Sequence, residues 1–160
     1  MYREGHIGLS LLLSSPFIFL FRVFEIDVNY IVTACLLMAA LSSIPDVDVQ
    51  FEVKHRGITH TVIFGVIVGF TLSILFSYFT GGVYWLIGFI AGFCGTISHL
   101  IGDALTYSKF KPFYPFSNRE VAYGLFKASS KVVNRGILAL GIFTFIISYN
   151  PSIITQLLKY

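Results

Sequence analysis

Charge is scarce in this chain. Of its 160 residues, 12% are Asp, Glu, Lys or Arg, against about 25% in ordinary globular chains, and that shortage excludes a soluble domain. Disorder is excluded by the opposite excess: 56% of the residues are hydrophobic and the mean hydropathy is +0.80, so the surplus apolar surface must face lipid. Cysteine is nearly absent too. The two that occur, Cys35 and Cys94, both lie inside apolar stretches, so no disulfide framework is available and they read as small buried hydrophobes. Histidine is limited to four and acids to eight. A membrane protein with so few polar side chains keeps them where they work.

What is present is a series of apolar stretches, running roughly from residues 6 to 24, 28 to 44, 60 to 80, 83 to 105 and 136 to 154. A membrane span needs about 20 mostly apolar residues. The pattern predicts an all-α, integral membrane bundle of about five transmembrane helices in one domain, residues 1–160, with the second span at the short limit. Gly81 and Gly82 predict a tight turn between the third and fourth helices, and the segment around Glu25 and Asp27 one between the first and second. Gly65 and Gly69, Gly88 and Gly92, and Ala91 and Gly95 stand four apart and predict close helix contacts. With five spans, nine of eleven basic residues (Arg3, Lys54, Arg56, Lys109, Lys111, Arg119, Lys127, Lys131 and Arg135) fall on the N-terminal side, leaving Arg22 and Lys159 opposite. The positive-inside rule then places the N-terminus in the cytoplasm and the C-terminus outside, in a multi-pass cell-membrane protein. The first apolar run carries no small-x-small cleavage pattern and reads as a retained span.

Placed on this topology, every histidine converges on one end of the bundle. His6 begins the first helix, His55 and His60 lead into the third, and His99 sits in the last turns of the fourth. Asp46 and Asp48, after the helix-ending Pro45, reach the same level, as does Asp103. Thr96, His99, Asp103 and Thr106 share one helical face. Each residue alone is an unremarkable interface side chain. Together they predict a shared metal site, for which imidazole and carboxylate suit zinc first, with manganese or iron as alternatives.

The motifs His6, P-D-V-D at 45–48, H-R-G-I-T-H at 55–60, H-L-I-G-D-A-L-T at 99–106 and K-P-F-Y-P-F-S at 111–117, taken in order, resemble the YdjM-type family of membrane-bound metal-dependent hydrolases over nearly the whole chain. That family is similar to zinc-dependent phospholipase C and P1-type nucleases, all-helical enzymes with a His/Asp metal cluster. The resemblance implies an Asp followed twelve residues later by a His, matched by Asp48 and His60, and an H-x-x-x-D pair, matched by His99 and Asp103. Where the soluble enzymes continue with His and Glu, this chain has Tyr107 and Lys111, so one or two ions are expected rather than three.

On this reading Asp48, His60, His99 and Asp103 form the ligand core, and His6 and Asp46 complete a second position. His55 is a ligand or the acid that protonates the leaving group, and Arg56 a bidentate phosphate clamp or a topology charge. His55, Asp46 and Arg56 are thus the catalytic candidates, while Thr59 and Thr106 are expected to hold ligands in place. Residues 107–135 mix six basic residues with seven aromatic ones and read as an interfacial cover, each cation contributing about 1 kcal/mol toward anionic lipid. Binding of single-stranded nucleic acid by stacking is the alternative use of such a loop. The expected activity is hydrolysis of an ester, foremost a phosphoester of a lipid or lipid-linked substrate, by metal-activated water at the cytoplasmic face. The competing classes are a transporter or metal-handling protein and a non-catalytic scaffold with a structural metal. Transport is disfavoured, because the outer halves of the helices carry no His or acid to continue an ion pathway.

Overall fold

The computed structural model describes residues 1–50 and 56–153, apart from the side chains of residues 49 and 50. Among these residues the chain is all-helical, and five helices are long and apolar enough to cross a membrane. They are α1 (Arg3–Val23), α2 (Val28–Leu41), α4 (Val62–Phe79), α5 (Tyr84–Ala104) and α6 (Lys131–Tyr149). A 3-10 turn at Ile44–Asp46 extends α2 and leads into α3 (Val47–Gln50), and a second at Ile58–His60 precedes α4. With that extension the second span runs from Val28 to Asp46, 19 residues, which removes its apparent shortness.

In hydrocarbon every backbone group must be satisfied internally, so the helices turn sharply outside it. Between α1 and α2, Glu25 adopts φ 56°, and the Asp27 carboxylate caps α2 by accepting the Asn29 N–H at 2.9 Å. Between α4 and α5, Gly81 and Gly82 take φ 66° and 55°, a conformation that glycine adopts without a steric penalty.

The central helices are α1 and α5. α4 lies along α5, α6 along α1, and α2 packs against both central helices. Lipid is as apolar as leucine, so close backbone approach must drive this packing. A Cβ on Gly88 would come within 2.7 Å of the Leu72 carbonyl, and one on Gly92 within 3.0 Å of the Gly69 Cα, which seats α5 on α4. One on Gly95 would meet the Met38 carbonyl at 3.0 Å, which seats α5 on α2. An equivalent contact joins Gly8 of α1 to Gly141 of α6.

One span differs from expectation. The fifth helix begins at Lys131 and ends at Tyr149, five residues ahead of the apolar stretch at each end. Ser130 starts it, its hydroxyl accepting the Val133 N–H at 3.5 Å, and Pro151 prevents its continuation. The segment between α5 and α6 is therefore 105–130 rather than 107–135. It folds back onto the helices: the N–H groups of Tyr123, Leu125 and Gly124 bond the carbonyls of Ala104, Leu105 and Thr106 at 2.7, 2.8 and 3.1 Å. At its other edge the Pro112 carbonyl accepts the Val62 N–H at 2.9 Å. These bonds satisfy orphan groups at the end of α5 and the start of α4.

Candidate metal centre

Because the helices alternate in direction, the start of α1, the end of α2, the start of α4, the end of α5 and the start of α6 meet at one end of the bundle. His99, fully buried on α5, donates from Nδ1 to the Ser42 carbonyl at 2.8 Å. A carbonyl only accepts, so this bond fixes the tautomer and leaves the Nε2 lone pair pointing inward. His60, equally buried, ends the turn before α4. Its Nδ1 faces the Asp48 carboxylate at 3.4 Å and the Thr59 hydroxyl at 3.0 Å. Thr59 itself donates to Asp48 at 2.8 Å, so Nδ1 is held as the donor and Nε2 again carries a lone pair.

The two Nε2 atoms lie 3.2 Å apart. Asp46 Oδ1 stands 3.6 Å from that of His60 and 3.5 Å from that of His99, and Asp103 Oδ2 stands 3.5 and 3.8 Å from them. Donors held 2.0–2.1 Å from a tetrahedral ion are about 3.3 Å apart, and the separations of each carboxylate oxygen from the two imidazoles, and of the imidazoles from each other, are close to that spacing. His60, His99 and Asp103 are buried and Asp46 is partly exposed, and imidazole and carboxylate together are donors that such an ion takes. The donor set fits a divalent metal.

His6 enlarges the cluster. Its ring stacks on His99 at 3.8 Å, and its Nε2 lies 3.6 Å from Asp103 Oδ1. It is wholly buried, and neither ring nitrogen has a hydrogen-bond partner among the described residues. Buried imidazole nitrogens without such a partner are free to take a ligand. His6, Asp46 and His99 form one triad compatible with an ion, and His60, His99 and Asp103 another.

Cations close the rim. Arg56 pairs with Asp103 Oδ2 at 2.9 Å, reaches the Ser108 carbonyl, and donates its own N–H to Asp48 at 3.0 Å. It holds φ 62°, a left-handed conformation costing a bulky residue on the order of 1–3 kcal/mol unless its surroundings enforce it. The three bonds provide that enforcement. The amino group of Met1 lies 2.5 Å from Asp103 Oδ1. A cavity of about 340 Å³ opens onto the cluster, bounded by Asp46, Asp103, Arg56, Ser108 and Ser129. A second, of about 360 Å³, also borders Asp46 and has Arg3 and Ser43 in its wall.

The fold thus brings together His6, Asp46, Asp48, His60, His99, Asp103 and Arg56, whereas His55 lies outside the described residues. Asp48 is buried on the Nδ1 side of His60 rather than among the inward-facing donors. Thr59 contacts both Asp48 and His60, but Thr106 instead bonds the Asp103 carbonyl at 2.8 Å, closing the end of α5. Sequence reasoning missed Asn134. Fully buried on α6, it accepts the Tyr2 N–H at 2.9 Å and donates to the Ala128 and Ser130 carbonyls at 3.0 and 2.7 Å, fastening α6, the preceding loop and the start of α1 together. The one available signal was an amide between Lys131 and the apolar run. Ser42 was also missed, because it acts through its backbone carbonyl, which every residue possesses.

Residues 1–158 match the sequence profile of a family described as YdjM inner membrane protein. No curated protein and no solved structure matches the chain, so the link to zinc-dependent phospholipase C rests on motif spacing alone.

Proposed function

The chain belongs to the YdjM inner membrane protein family, and from that premise we propose that it is a membrane-embedded, metal-dependent hydrolase of phosphoesters carried by lipids or lipid-linked molecules. The observation that carries the reading is the approach of Asp46 Oδ1 and Asp103 Oδ2 to the paired Nε2 atoms of His60 and His99, at 3.5–3.8 Å, beside a cavity wide enough for a small headgroup. His60, His99, Asp46 and Asp103 would hold one divalent ion, zinc by donor chemistry, and His6 would contribute to a second with Asp46. An ion held there supplies Lewis-acid chemistry, lowering the pKa of water to about 7 and stabilising charge on a phosphoryl oxygen.

The remaining residues orient and select. Asp48 and Thr59 fix the tautomer and aim of His60, and the Ser42 carbonyl does the same for His99. Arg56, already in the cavity wall, presents a planar fork suited to phosphate. The basic residues Arg3, Arg56, Lys109, Lys111, Arg119, Lys127, Lys131 and Arg135 gather at this end, with Arg22 opposite, which supports a cytoplasmic placement of the site.

Purified protein is expected to contain one or two equivalents of divalent metal, and the His99→Ala, Asp103→Ala double variant almost none. Metal-free wild-type protein would sink the reading. Wild type that holds metal yet hydrolyses neither a generic phosphodiester nor a phosphomonoester would leave a structural metal site instead.

A further inference from the structure

On the outer surface of the α4–α5 pair, segment 105–130 roofs an apolar groove of about 400 Å³ walled by Val62, Leu100, Ala104, Phe110 and Val121. Its open side carries Ile101, Phe113 and Tyr123, which are 41%, 54% and 70% exposed. Ala104 follows Asp103 and Val62 stands two residues after His60, so the groove lies at the depth of the metal-donor cluster. Phe110 separates the two. Its ring, 4% exposed, forms part of the groove wall and meets His60 edge-on at a centroid distance of 6.4 Å.

The wall chemistry limits what can lie there. A peptide would bring N–H and C=O groups that apolar side chains cannot satisfy, whereas a hydrocarbon chain needs no such partners. The charges beside the groove specify the rest. The backbone pairing of Phe110 with Val121 turns Phe110 inward between Lys109 and Lys111. Lys109 is matched by Glu120 at 3.7 Å, whereas among the described residues Lys111 Nζ bonds the neutral Asn118 carbonyl oxygen, at 3.2 Å, and no acid. We infer that the groove holds an acyl chain of an anionic phospholipid from the leaflet at the site end, with its phosphate beside Lys111. Its occupancy by lipid stands on these observations, and only its use as the place where the substrate's tail rests depends on the hydrolase reading.

The test is native mass spectrometry of the full chain released from bilayers of phosphatidylglycerol and phosphatidylcholine in equal amounts. Wild type should retain one phosphatidylglycerol, at least several-fold over phosphatidylcholine. Ile101→Trp, which fills the groove from an exposed position, should retain neither while keeping its metal. Lys111→Glu should lose the preference between the two lipids. Equal retention by wild type, retention of detergent alone, or undiminished lipid on Ile101→Trp would each overturn the inference. If Ile101→Trp also loses metal, Lys111→Glu decides: an unchanged preference refutes the inference. Selective retention by a protein that neither binds metal nor hydrolyses phosphoesters would leave the groove standing and remove the hydrolase reading.

Discussion

The far end of the bundle is closed by two short turns, with Phe24, Tyr78 and Phe79 70%, 83% and 76% exposed and the side chain of Arg22 bonded to the Tyr149 carbonyl. At the other end His6, His60, His99, Asp48, Asp103 and Asn134 are all buried. The same five helices make both ends, and their apolar spans cannot account for the contrast. Burying polar groups costs several kcal/mol unless each is partnered, and a bundle needing only stability would close both ends as it closes the far one. Buried polar groups concentrated at one end are what the proposed metal centre accounts for and stability alone does not.

Substitutions can sharpen or break that contrast. The largest effect short of deleting ligands is expected from Asp48→Asn, which weakens the grip on His60 Nδ1. Metal affinity should fall about 10- to 100-fold, measured by competition with a chromophoric chelator, and an unchanged affinity would remove Asp48 from the centre. Next comes Arg56→Lys, which keeps the charge but loses the fork that reaches Asp103 and Ser108. Phosphoester turnover should drop roughly tenfold, about 1.4 kcal/mol, with metal content retained. The smallest effect belongs to the far end. Asp27→Ala removes the α2 cap at a cost of about 1 kcal/mol, lowering the thermal midpoint in detergent slightly and leaving metal content untouched. A loss of metal there would show that the two ends are not separable.

Much of this arrangement was legible in the chain. Apolar runs gave the spans, and their alternation was enough to carry Asp46, His60, His99 and Asp103 to one level, because direction reverses at each turn whatever the packing. The ends of α6 were not legible from hydropathy, since Ser130 and Pro151 set them through capping and ring geometry. Nor was the role of Asp48. Spacing brings it near His60 but cannot say which ring nitrogen it faces, and that depends on the strained turn at Arg56. The contact of Gly8 with Gly141 joins helices more than a hundred residues apart in sequence and leaves no local trace.

Segment 105–130 is stitched along both edges, to the carbonyls ending α5 and to the first N–H of α4. Segment 105–130, which supplies Ser108 and Ser129 to the rim of the opening beside Arg56, is thus held by two helices at once, in the way a brace is pinned at both of its feet.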